Sequence, residues 1–190
     1  MLRRVATGML ILGILTLHAG TAFADTFIYE PNPKHIENLP HGKYYTWGID
    51  VSELEGWRIL EAELQITRIT NSDNGENTLF IHLLDEAELG VHRANDRNDD
   101  FVDAFEGNGV LIDEWHDANG AWRRDDISYL FSDLDILGDL TAYIVDGVVA
   151  FGFDPDCHFY NDGFKLVVTA ERPTMATEST SWGDIKKTFR

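Results

Sequence analysis

Cysteine is all but missing from this chain. Cys157 is the only one in 190 residues, so no internal disulfide can form. A chain of this length buries an adequate core without such staples, and the lone thiol is expected to sit buried as a small hydrophobe. Basic residues are also scarce. Fifteen Lys and Arg stand against 33 Asp and Glu, a net charge of −18. That balance argues against nucleic acid and anionic membrane as partners, since both are bound by basic surfaces. Beyond residue 17 no apolar run approaches the roughly 20 residues a membrane span requires. The serine-hydrolase elbow, the H-E-x-x-H zinc helix, the phosphate-binding loop and the dinucleotide fingerprint are all missing. The sequence therefore leans away from an enzyme. It also contains no internal repeat.

The chain begins with a start segment that is not part of the fold. Arg3 and Arg4 form a basic patch, Met9 to Leu17 an apolar run, and Ala22-Phe23-Ala24 a small-x-small cleavage site. These are the three parts of a secretory signal peptide, residues 1–24. Removing them takes the net charge from −18 to −20. The expected location is outside the cytoplasm: extracellular, at the cell surface or in the periplasm. One domain over residues 25–172 comes next, then a Ser/Thr-rich linker, 173–180, and a basic, aromatic tail, 181–190, which is a candidate sorting signal.

Within the domain, strand signals dominate. Tyr44 to Ile49 is rich in aromatics and β-formers. Leu60, Ala62, Leu64 and Ile66 alternate with polar residues, the period of a half-buried strand, and Ile69 shifts that phase, which predicts a bulge near Thr67–Arg68. Thr78 to Leu84 reads as a central strand closing a hairpin with its predecessor. Gly90 to Gly109 reads as a long acidic loop. Val110 to Trp115, Ile127 to Phe131, Val148 to Phe153 and Phe164 to Ala170 complete the strands. Leu134, Leu137, Leu140 and Ile144 predict one short helix capped near Ser132 or Asp133. The expected fold class is all-β: an antiparallel two-sheet β-sandwich, jelly-roll-like, with one short helix.

The chemistry concentrates between two strands. Asp154, Asp156, Asn161 and Asp162 place four oxygen-bearing side chains in nine residues, a donor set suited to Ca²⁺. Asp73, Asn74 and Glu76 in one turn compete for the same ion, as do Asp96, Asn98, Asp100 and Asp103, which are spaced like half an EF-hand loop with Phe101 where Gly is required. Against this, Asp and Asn in turns commonly cap their own backbone. Cys157 and His158 do not form a nucleophile pair, because strand neighbours point to opposite faces. His82 and His116 read as structural. Trp47, Trp57, Trp115, Trp122 and Tyr160 are candidates for a sugar-stacking surface, and equally for core filling.

Three stretches carry a family likeness: Tyr45-Thr46-Trp47-Gly48-Ile49-Asp50-Val51, Leu79-Phe80-Ile81-His82-Leu83-Leu84-Asp85, and Gly152-Phe153-Asp154-Pro155-Asp156-Cys157-His158-Phe159-Tyr160-Asn161-Asp162-Gly163. In these the chain resembles a group of uncharacterised secreted bacterial β-sandwich proteins, many with PEP-CTERM-type sorting tails. The resemblance implies export and surface display and supplies no activity. No Pro-Glu-Pro motif or apolar terminal helix is present, so exosortase anchoring is not expected; Ser181-Trp182-Gly183-Asp184-Ile185-Lys186 is instead similar to short W-G-x-I-K tails of exported bacterial proteins.

The expected function is a secreted or surface-displayed, non-catalytic binding or structural module stabilised by Ca²⁺. Its partners would be extracellular polysaccharide or other surface proteins. The alternatives are a carbohydrate-binding module and, further off, a polysaccharide hydrolase or lyase using paired carboxylates or His116 with Glu114.

Overall fold

The structure is a computed structural model that describes residues 23–32, 36–72, 74–75, 77–96, 102–117 and 121–173. Residues 1–22 and 174–190 lie outside them, and with them nearly all of the expected signal segment, most of the expected linker and the whole of the expected tail. The described strands are β1 (Ala24–Tyr29), β2 (Asn38–Leu39), β3 (Lys43–Asp50), β4 (Arg58–Asn71), β5 (Thr78–Leu84), β6 (Gly90–Asn95), β7 (Val110–His116), β8 (Asp125–Leu130), β9 (Val148–Pro155), β10 (Phe159–Tyr160) and β11 (Gly163–Glu171), with one helix, α1 (Leu137–Tyr143). All pairings between these strands are antiparallel.

The strands form two sheets. In the first, β11 lies between β1 and β4, and β8 flanks β4 on its other side. Short β10 continues β11 along the same flank of β4, with Gly163 opposite Thr67 and Phe159 opposite Asn71. β2 in turn pairs with β10, beyond the end of β1. The second sheet runs β6-β3-β9-β5-β7. Set β2, β6 and β10 aside and number the remaining eight along the chain. They then lie as 1-8-3-6 and 2-7-4-5, which is the jelly-roll order. The sandwich is therefore all-β with a single short helix, and that helix fills the crossing from β8 to β9.

Three local expectations are corrected. β4 and β5 do not form a hairpin, because they belong to different sheets and the turn between them crosses the sandwich. The stretch from Gly90 opens with an edge strand, β6, hydrogen-bonded to β3. The helix begins at Leu137 after Ile136, which has no side-chain cap, rather than at Ser132 or Asp133. The bulge does occur: the β4–β8 register shifts between Ile66 and Ile69, and Arg68 takes φ 53°.

Alternation places the core. Ala62, Leu64 and Ile66 of β4 and Phe164, Leu166, Val168 and Ala170 of β11 are buried, while Glu61, Glu63, Gln65 and Lys165 face outward. β9 is apolar on both faces, since it is central in its sheet and covered on both sides. Inside, Trp47, Phe131 and Phe153 pack around Phe151, and Phe164 meets Phe153 at 4.4 Å. Outside, residues 102–109 form a strap across the second sheet. Phe105 rests over Gly152, where an added Cβ would meet its ring at 2.8 Å. Gly152→Val should therefore displace the strap and cost about 1–3 kcal/mol in a urea-unfolding measurement. A variant as stable as the parent would mean that Phe105 leaves its seat at no cost.

Candidate functional site

The stretch from Asp154 to Gly163 is a corner, not a chelating loop. β9 ends at Pro155 in the second sheet and β10 begins at Phe159 in the first. Its oxygen-bearing side chains part company on the way. Asp154, 4% exposed, accepts the Ala104 N–H at 2.7 Å and so holds the strap. Asp156 accepts the Thr78 N–H at 2.6 Å and fixes the start of β5. Asn161 donates its amide to the Ile36 carbonyl at 2.7 Å. Asp162 pairs with Arg68 at 3.2 Å. Burial above all, with Asp96, Asp103 and Asp156 adding to it against the Ala104 hydrogen bond, pushes the Asp154 carboxyl up to about 6. Asp103 also meets His82 Nε2 at 2.7 Å. Of the other candidate ligands, Asn74 accepts the Ala121 N–H, and Asp96 donates its backbone N–H to the Gly42 carbonyl. Asp73, Asn98 and Asp100 lie outside the described residues. Among the described residues no three His, Cys, Asp or Glu side chains converge as a metal-holding group.

The aromatics divide sharply. Trp47 is 2% exposed and belongs to the core, because its place on β3 points it inward beside Phe151. Trp57 is half-buried edge-on to Phe27, and Trp115 half-buried against Phe159. Trp122 and Tyr160 come together and bring a third ring that sequence reasoning missed. Tyr160 stacks on His158 at 4.5 Å and 19°, and Trp122 stacks on Tyr160 at 6.0 Å and 21°. Strand alternation explains the first pair: Phe159 turns into the core, so His158 and Tyr160 turn out together. That pattern was the available signal for His158. Cys157, beside it, packs half-buried against the core.

Trp122 is brought in by another element, the turn before β8. Its backbone N–H donates to the Asn71 carbonyl at 3.0 Å, and Asn74 holds the preceding residue. Its φ is 64°, the left-handed region that a bulky residue rarely occupies. The ring is 65% exposed. His158 Nε2 is hydrogen-bonded to Asn38 at the other end of the row. The result is a pile of three near-parallel rings, anchored at Asn38 and ending at the open side of Trp122. Arg123 and Arg124 come directly after it, both exposed, in a chain otherwise dominated by acids.

The chain matches no family model, no curated protein and no solved structure.

The pair suggested for hydrolysis is not assembled as a cleft. His116 is hydrogen-bonded to the Thr78 hydroxyl at 3.1 Å, and both His116 and Glu114 are exposed on β7. A separate concavity of about 510 Å³ lies on the outer face of the second sheet, floored by Tyr44 and Phe105 and rimmed by Asp85, Glu86 and Glu88. Phe105 closes one side of it through the strap that Asp154 holds.

Proposed function

We propose that this protein is an exported, non-catalytic binding module that takes polysaccharide on the open face of Trp122, with Tyr160 and His158 as its backing. The single observation that carries the reading is Trp122 itself, a large ring 65% exposed on a backbone at φ 64°. Backbone strain of this kind costs about 1–3 kcal/mol and persists where the position has a use. A stack that ends in an open aromatic face is extended by another ring with an apolar face. The C–H face of a pyranose meets that need, and the hydroxyls on its rim remain free for Arg123, Arg124 and water. A nucleic-acid base would meet it too, but a chain of net charge −18 repels the phosphates that come with it.

The test is an array of neutral and uronate-containing glycans, followed by calorimetric titration of the best oligosaccharide. Saturable binding that Trp122→Ala removes is the expected result. A protein that retains no glycan across the array has some other use for the ring.

Calcium stands beside this reading as a stabiliser. Its support is the acidic surroundings of Asp154, whose carboxyl is raised in part by the charges of Asp96, Asp103 and Asp156 although the described acids do not converge as a ligand group; a divalent cation would relieve that repulsion. A saturable, Ca²⁺-selective rise in melting temperature after chelator treatment, lost in Asp154→Asn, is expected from mass action. If millimolar Ca²⁺ leaves the melting temperature where it was, calcium drops out of the proposal.

A further inference from the structure

The far end of the domain presents a second surface. The turn at 52–57 and the end of α1 enclose a groove of about 510 Å³. Its apolar side chains are Leu54, Trp57, Ile144 and Val145, and Val145 is 84% exposed. Its charged lining residues are Glu55 and Asp146, both acids and both exposed. β11 ends at Glu171, and the next residue, Arg172, lays its guanidinium 4.8 Å over the Trp57 ring. The chain therefore leaves the sandwich at the wall of this groove.

The C-terminal residues beyond that exit have the complementary chemistry. Residues 181–190 carry Trp182, Ile185 and Phe189 among Lys186, Lys187 and Arg190, with Asp184 as the one acid. The stretch from Pro173 to Trp182 reaches roughly 30 Å when extended, more than the groove beside Arg172 asks for. A short tether also holds its own tail at an effective concentration of order millimolar, so a contact too weak to form between separate molecules closes within one.

We infer that the groove between the 52–57 turn and the end of α1 is the docking site for the chain's own C-terminal segment, Trp182–Arg190. The aromatic and aliphatic side chains enter between Trp57 and Val145, and the lysines face Glu55 and Asp146. The N-terminal strand leaves from the same end, Ala24 pairing with Glu171, but the segment before it is apolar with Arg3 and Arg4 far from its junction. Charge complementarity therefore selects the tail. Docking would keep a basic, aromatic signal covered until something with a stronger claim on it displaces it.

Limited trypsin digestion of the intact chain tests this, with cleavage after Lys186 and Lys187 followed by mass spectrometry. The docked tail is expected to be cut about tenfold more slowly than in Val145→Asp or Trp182→Ala, because cleavage follows the open population. High salt should raise the parent's rate toward that of the variants. Should Val145→Asp fail to fold, Trp182→Ala still decides, since no residue described in the sandwich is changed. Equal cleavage rates in the parent and Trp182→Ala would overturn the inference. Protection that grows with protein concentration would also overturn it, by assigning the groove to the tail of a second copy.

Discussion

Trp122→Gly is expected to lose glycan binding while keeping the stability of the parent protein. The two halves of this result have different causes. Glycine occupies φ 64° at no steric cost, and the relief of about 1–3 kcal/mol of backbone strain is offset by the roughly 0.5–1 kcal/mol that its greater freedom in the unfolded chain costs. Against that, the Trp122–Tyr160 stack is worth about 0.5–1.5 kcal/mol. The terms nearly cancel, so urea midpoints should agree within about 1 kcal/mol. Binding does not share in that cancellation, because the ring is the contact itself. Affinity should fall at least tenfold, which is about 1.4 kcal/mol. A core tryptophan behaves otherwise: Trp47→Ala should cost about 3–5 kcal/mol. If Trp122→Gly costs stability on that scale, the ring is structural cement for the corner, and the binding assignment fails with it.

Asp154→Asn is expected to make the protein more stable at neutral pH and to leave it unchanged in acid. Burial pushes the Asp154 carboxyl from an ordinary 3.8 up to about 6. The folded state thus holds its proton more tightly than the unfolded chain does. The stability this contributes is complete below pH 3.8 and is lost as the pH rises through 6. At pH 7 the carboxylate is a buried charge that also feels the repulsion of Asp96, Asp103 and Asp156, and the shift corresponds to at most about 3 kcal/mol against the fold. Asparagine removes the charge, and its carbonyl can still accept the Ala104 N–H. The difference between variant and parent, from urea midpoints in chelator, should grow from near zero at about pH 4 to roughly 2–3 kcal/mol at about pH 7.5. A variant less stable at neutral pH in chelator would mean that a protein group stabilises the charged carboxylate, and would contradict the burial cost argued for Asp154.

The strands that could be read from the sequence were those with a buried face and a wet one. β4 and β11 declare themselves by period two, and β9 by an unbroken apolar run. Their partners could not be read, because β4 lies against β11 across some hundred residues and nothing local marks that pairing. β6 escaped notice for a related reason. As an edge strand of Gly90, Val91, His92, Arg93, Ala94 and Asn95 it buries little, and its polar residues resemble a loop. The helix start was misplaced because residues 131–135 turn without entering a helix.

At the candidate site, Trp122 and Tyr160 were visible as residue types but not as a pair. Their contact depends on the β4–β5 and β7–β8 connections meeting through Asn71 and Asn74. The acids of the Asp154–Asp162 stretch looked like one donor set because they are close in sequence. They separate because the chain changes sheets between them.

The most direct measurement is a titration with the best-binding oligosaccharide followed through the tryptophan indole N–H resonances. The chain has five tryptophans, and among the described residues only Trp122 presents an open ring face at the end of a stack. A saturable shift of the Trp122 indole, with ring signals of Tyr160 and His158 moving alongside and Trp47 and Trp115 still, is the predicted result. Binding that saturates while the Trp122 indole stays in place would contradict the account.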